Sequence, residues 1–176
     1  MSLPHALLTS LLEQPGSGAE LARRFDKSIG YFWAATHQQI YRELAKMERR
    51  GLIAGAERDG GRGRARHYTV LAAGRRELVD WAGAAAEPRP PRDDFMVRLR
   101  AAAVLGDVDL RPEAVRHRDV HRRRLENYLD IEARDFPAGA GREGQLRLQH
   151  AVLRAGIAFE RAWLEWCDEL LGDGSA

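Results

Sequence analysis

Leu3, Leu7, Leu8, Leu11 and Leu12 recur at helical spacing and predict a first helix, with Pro4 tolerated in its opening turn and Gln14-Pro15-Gly16 stopping it. A second helix is predicted from Ser17 to about Lys27. Leu21, Ala22 and Phe25 form its apolar side, and Glu20 stands three residues after Ser17, the spacing of a capping box. A third runs from Thr36 to Gly51, where Ile40, Leu44 and Met47 form one stripe, Thr36 is the N-cap and Gly51 the terminating glycine. After Gly51 the period changes. Leu52-Ile53-Ala54 and His67-Tyr68-Thr69-Val70 favour strand, and the Gly/Arg segment between them makes the pair a hairpin.

The second half is written in longer helices. Val70 to Ala86 carries Leu71, Leu78, Val79, Trp81 and Ala82, and EPRPPR then breaks the chain. Asp93 to Leu105 follows, with Phe95, Met96, Leu99, Ala103 and Val104 expected to pack. Pro112 to about Phe136 is polar with a thin stripe of Val115, Leu125, Tyr128, Leu129 and Ala133. Gln145 to Leu171 places Leu146, Leu153, Ile157, Leu164, Cys167 and Leu171 near coiled-coil spacing, widened by Val152, Phe159, Trp163, Trp166 and Leu170. Helices of that length are expected to pack as an antiparallel pair and against a second subunit. Three domain-level segments result: residues 1–86, a proline-rich boundary at 87–92, and residues 93–176.

The outward face of the third helix gives the first functional clue. Turning 100° per residue puts Gln38, Arg42, Ala45 and Arg49 opposite the apolar stripe, flanked by Gln39 and Lys46. Gln can bridge the donor and acceptor of adenine, and Arg can grip guanine or a phosphate through its planar fork. A hairpin with Arg62, Arg64 and Arg66 among glycines, directly after such a helix, reads as a wing along the sugar-phosphate backbone. Tyr31, Phe32 and Trp33, just before Thr36, are expected to plug the corner between two helices. Helix, helix, recognition helix and basic hairpin is the order of a winged helix-turn-helix domain.

Charge supports that division. The whole chain carries only +2. Residues 1–86, however, hold thirteen Lys/Arg against nine Asp/Glu, and residues 87–176 hold fifteen against seventeen, so the basic excess travels with the recognition helix. No run of eighteen apolar residues exists, and MSLPHALLTSLLEQPG lacks a basic n-region, so the expected location is the cytoplasm, with no membrane segment. A single cysteine, Cys167, excludes an internal disulfide and zinc sites built on paired thiolates.

The run SGAELARRFDKSIGYFWAATHQQIYRELAKMERRGLI resembles the N-terminal domain of the PadR family of bacterial transcriptional regulators, related to the virulence activator AphA. The matching positions are Gly18, Glu20, Leu21, Phe25, Tyr31, Phe32 and Trp33, then Thr36 to Leu44 without a break, and downstream Gly74, Arg75, Leu78 and Trp81. A departure lies in the wing, where Gly61-Arg62-Gly63 stands in place of the family's Gly-Arg-Pro. The tip is therefore expected to be more mobile and to favour phosphate affinity over sequence readout. The resemblance implies a mainly α protein, a winged helix-turn-helix followed by a long-helix dimerisation domain. It also implies a homodimer, double-stranded operator DNA as partner, and a small aromatic effector.

Other chemistry is sparse. His117 and His121 lie one turn apart near Glu113, but the arginines around them, Arg116, Arg118 and Arg122 to Arg124, argue against a metal, and none is expected. Trp163 and Trp166 are candidate walls of an effector pocket, with plain core as the alternative. Cys167, in an apolar stripe, reads as an inert thiol. No nucleophile elbow, P-loop or dinucleotide fingerprint appears, so neither an enzyme nor a cofactor is expected. The sequence reading is a PadR-type repressor that contacts DNA through Gln38, Gln39, Tyr41, Arg42, Lys46, Arg62, Arg64 and Arg66. The other class compatible with these residues is a winged-helix interaction or ligand-sensing module without specific DNA binding.

Overall fold

A computed structural model describes residues 3–27, 35–58, 65–87, 92–137 and 144–172. The chain divides into two compact units, Met1–Pro88 and Arg89–Ala176. Among the described residues the elements are α1 (Leu3–Glu13), β1 (Gly16–Ser17), α2 (Gly18–Lys27), α3 (His37–Arg49), β2 (Ile53–Arg58), β3 (Ala65–Val70), α4 (Ala72–Gly83), α5 (Asp94–Leu105), α6 (Arg111–Asp135) and α7 (Gly144–Gly172).

In the first unit the apolar stripes meet. Leu7, Leu8 and Leu11 of α1, Leu21, Ala22 and Phe25 of α2, and Ile40, Leu44 and Met47 of α3 join Leu52 and Ile53 in one buried cluster. Each such side chain removed from water contributes about 1.5–3 kcal/mol. The three strands order as β1-β3-β2, all antiparallel, with Gly16 opposite Tyr68 and Gly55 opposite Tyr68 on the other side. Strand β1 is an element the periodicity did not predict. Two residues, Gly16 and Ser17, carry no alternation that a pattern could detect, and they pair only because β3 returns beside them. The Ser17 box forms as expected: the Ser17 N–H donates to Glu20 Oε2 at 2.7 Å and the Glu20 N–H donates to Ser17 Oγ at 3.3 Å. The Ser17 N–H and the Ser17 hydroxyl, which both donate to Glu20 Oε2, hold the Glu20 carboxyl below its ordinary range.

Helix α4 is shorter than the predicted Val70 to Ala86. Val70 ends strand β3 and Leu71 is the N-cap, while Ala84 is the C-cap. Only part of its apolar set packs. Leu78 joins the core, but Val79 and Trp81 are exposed, with the Trp81 ring stacked on His5 at 4.3 Å.

The second unit is an antiparallel hairpin of α6 and α7 with α5 against it. The residues that bury along α6 are Ala114, His121 and Tyr128, spaced by seven; of the predicted stripe Tyr128 is buried and Val115 and Leu125 are half-buried, while Leu129 and Ala133 are exposed. On α7 the buried set is His150, Ile157, Glu160, Cys167 and Leu171. Sequence patterning misses part of the seam because it counts only apolar residues, whereas this seam is closed partly by histidine–glutamate hydrogen bonds. His121 Nδ1 lies 2.5 Å from Glu160 Oε2, and His150 Nε2 lies 2.6 Å from Glu132 Oε1. Farther along, Arg118 pairs with Asp168 at 3.3 Å, and Arg111 donates to the Leu171 carbonyl at 3.0 Å. Helix α5 buries Phe95 and half-buries Leu99. Met96, Ala103 and Val104, also expected to pack, lie exposed in the single chain.

Candidate nucleic-acid interface

Helix α3 is fastened at both ends. At its start the Gln39 N–H donates to Thr36 Oγ1 at 3.2 Å, and the Thr36 N–H donates back to Gln39 Oε1 at 2.8 Å. This reciprocal capping box satisfies two backbone donors that the helix itself leaves open. At its finish the Gly51 N–H reaches the Glu48 carbonyl at 2.9 Å and the Leu52 N–H reaches the Met47 carbonyl at 3.0 Å. These two bonds are the Schellman pattern, and they require the left-handed backbone that Gly51 adopts at φ 68°.

With Ile40, Leu44 and Met47 fully buried, the opposite face turns to solvent: Gln38, Arg42, Ala45 and Arg49 are all exposed. Arg42 makes no ion pair among the described residues, so its guanidinium fork is available to an anion or a base edge. The remaining predicted contacts are less alike. Gln39 has spent its amide oxygen on the cap, leaving its NH2 group to donate outward. Lys46 sits 3.4 Å from Glu43, an exposed pair that competes weakly with a phosphate. Tyr41 is about half exposed and its ring lies over Gly18, where any Cβ would collide with it; Gly18 therefore lets the tyrosine lie flat on the start of α2.

Arg66 differs from the rest. Its guanidinium lies 2.6 Å from Glu48, on α3 itself, and the same Glu48 oxygen accepts the Gly55 N–H at 2.9 Å. Tyr68 packs nearby, its hydroxyl pKa raised by burial and by Glu48. Arg62, Arg64 and the aromatic corner of Tyr31, Phe32 and Trp33 lie outside the described residues, as do the central prolines of the boundary segment.

In the second unit Asp93, Arg116, His117, Val120, His121, Arg124, Phe159 and Trp163 surround a cleft of about 330 Å³. Trp163 stacks on His121 at 4.5 Å with planes 7° apart. Trp166 does not line this cleft; it packs edge-on against Phe95 and Trp163. Arg116 grips Glu113 through two bonds of 2.8 and 2.6 Å, which holds that carboxyl down to about 2. His117 approaches the same Glu113 at 3.4 Å. Among the described residues no three His, Cys, Asp or Glu side chains gather as metal ligands. Cys167 is buried, and that burial pushes its thiol pKa up.

Known proteins share this arrangement. The family model for the transcriptional regulator PadR-like family matches residues 7–80, and that for the virulence activator alpha C-terminus matches residues 91–173. A probable transcriptional regulator of Mycobacterium tuberculosis is 42% identical over 182 residues, covering 97% of this chain and 96% of that protein. The Vibrio cholerae virulence activator AphA superimposes with a TM-score of 0.77 at 33% identity, covering 98% of this chain and 97% of AphA. Bacillus subtilis PadR shares the fold: solved with operator DNA, it gives a TM-score of 0.83 at 22% identity over 98% of this chain and 97% of its own. Solved with p-coumaric acid, it gives 0.74 at 23%, covering 98% of both chains.

Proposed function

This chain belongs to the PadR-like family of transcriptional regulators, and from that premise we propose that it acts as a homodimeric, ligand-responsive repressor which reads operator DNA through Gln38 and Arg42. The observation that carries the reading is the outer face of α3. Gln38 and Arg42 are exposed one turn apart on a helix whose two ends are locked, so both side chains are presented from a rigid support. Tyr41 and Lys46, exposed on the same helix, are assigned to phosphates, as are Arg62 and Arg64 of the glycine-rich segment that follows β2 in the sequence. Operator DNA bound to B. subtilis PadR is in keeping with this use of the fold.

Filter binding at stated salt, with the DNA upstream of the protein's own gene against a shuffled duplex of equal length, tests the reading; equal affinity for both sinks it. The roles within the interface separate in the same assay. Gln38→Ala is expected to lose discrimination at particular base pairs, worth about 1–3 kcal/mol. Arg64→Ala is expected to weaken binding to every sequence and flatten the salt dependence by about 0.9 per lost phosphate contact.

Dimerisation is proposed from the apolar side chains that one chain leaves in water. Met96, Val97, Val104 and Leu105 on α5, and Leu146, Leu148, Val152 and Phe159 on α7, are 42% to 84% exposed. A second copy would cover them and set two recognition helices one or two helical turns apart, about 34 Å or a multiple of it, for a near-palindromic site. Sedimentation equilibrium should give a dimer, and Val104→Asp with Leu148→Asp should shift it toward monomer by at least tenfold in Kd, on the order of 1.4 kcal/mol. A wild-type monomer at micromolar concentration contradicts the proposal. Effector response is proposed for the α6–α7 cleft at Trp163, which has the dimensions of a small-molecule site; p-coumaric acid bound to B. subtilis PadR is compatible with that role.

A further inference from the structure

Glu48 occupies a position that simple electrostatics disfavours. It lies in the last turn of α3, where the partial negative charge of the helix end favours cations, and a carboxylate on a DNA-reading element repels phosphate. Its neighbours Arg49 and Arg50 obey the rule that Glu48 breaks.

The geometry supplies a reason. One oxygen of Glu48 holds two donors from the hairpin, the Gly55 N–H at 2.9 Å from β2 and the Arg66 guanidinium at 2.6 Å from β3. To reach Glu48 the Arg66 side chain crosses β2 over Gly55. A Cβ at that position would collide with Arg66 Nε, lie 2.8 Å from Glu48 Oε1 and 3.0 Å from the Tyr68 ring. A glycine, a glutamate and an arginine on three consecutive elements thus make one clasp. Together with the turn at Gly51 and Leu52 and the packing of Ile53 into the core, it ties the root of the wing to the recognition helix.

We propose that Glu48 is a positioning residue of the DNA-binding head: its clasp fixes the pitch of the wing relative to α3 and withholds Arg66 from the phosphates. This rests on the DNA-binding reading above. The Arg66 side chain is half exposed, but its 2.6 Å bond to a Glu48 oxygen that Gly55 N–H also holds already balances its charge, so it releases few counterions on binding: Arg66 is a strut while Arg64 is a contact. Losing Glu48 frees a cation and loosens the wing together, which raises sequence-blind affinity and lowers discrimination.

The test uses the full chain and two duplexes, the upstream DNA and its shuffled counterpart, with affinity measured across a potassium chloride series. Arg66→Ala is expected to keep the wild-type salt slope, unlike Arg64→Ala. Glu48→Gln is expected to steepen the slope on the shuffled duplex by about 0.9 per protomer. It should also cut the preference for upstream DNA by about tenfold, the scale of one misread base pair. Adding Arg66→Ala to Glu48→Gln should return the slope to that of the wild type without restoring the preference. A flattened slope in Arg66→Ala, or an unchanged slope and preference in Glu48→Gln, overturns the clasp while leaving the DNA reading intact. Absence of any preference in the wild type overturns both. Should Glu48→Gln fail to fold by thermal melting, the slope of Arg66→Ala decides alone.

Discussion

His121→Ala is expected to lower the stability of the 89–176 unit by about 1–3 kcal/mol, the cost of leaving the buried Glu160 carboxyl without its hydrogen-bond partner. Glu160 is only 3% exposed, and His121 at 2.5 Å is its one described partner. Removing the imidazole also removes the face that Trp163 stacks on, which adds about 0.5–1.5 kcal/mol. The double variant His121→Leu with Glu160→Leu should recover most of the loss, because two apolar side chains of similar volume need no compensation. Urea unfolding at fixed protein concentration, followed by tryptophan fluorescence, measures both. A loss below about 1 kcal/mol in the single variant would mean that water or a neighbouring group already satisfies Glu160.

Gly74→Ala is expected to cost the first unit about 3 kcal/mol, although alanine is the better helix former by about 1 kcal/mol. The added methyl would press into the carbonyl oxygen of Leu52, which is backbone, and touch Leu8 and Val70 side chains at 3.0 Å. That oxygen has nowhere to retreat: it accepts the Leu71 N–H at 2.9 Å, and its residue closes the Schellman turn of α3. The strain therefore passes to the recognition helix. DNA affinity should fall with stability, and a Gly74→Ala melting temperature equal to that of the wild type would refute the crowding argument. Gly83, on the same helix with open space around it, is the control, and Gly83→Ala should be neutral or slightly stabilising.

The DNA-binding head was largely legible because its information is local. Caps at Ser17 and Thr36, the stripe at Ile40, Leu44 and Met47, and the terminating Gly51 each follow from residues within one or two turns. Strand β1 was not legible, since its pairing with Tyr68 depends on a chain segment fifty residues away. Nor was the double use of Gln39 and Arg66: the face of a helix or hairpin can be computed from spacing, but a side chain's intramolecular partner cannot. In the second unit the length and antiparallel pairing of α6 and α7 could be read from periodicity, whereas the seam could not. His121, Glu160 and His150 look like surface residues to any apolar count, and only the facing helix turns them into core. The exposed side chains of α5 are the converse, apolar residues that α6 and α7 leave in water.

The two His–Glu pairs also choose among arrangements of the hairpin. Along α6 the order is His121 then Glu132, and along α7 it is His150 then Glu160. Run antiparallel, each histidine meets a glutamate; run parallel, histidine would face histidine and glutamate would face glutamate. A slip of one heptad would set Glu160 against Ala114 or Tyr128 and bury an unpaired carboxylate. The thin apolar stripe of α6 would tolerate several alignments, but the polar seam accepts one. It works as a key that fixes direction and register.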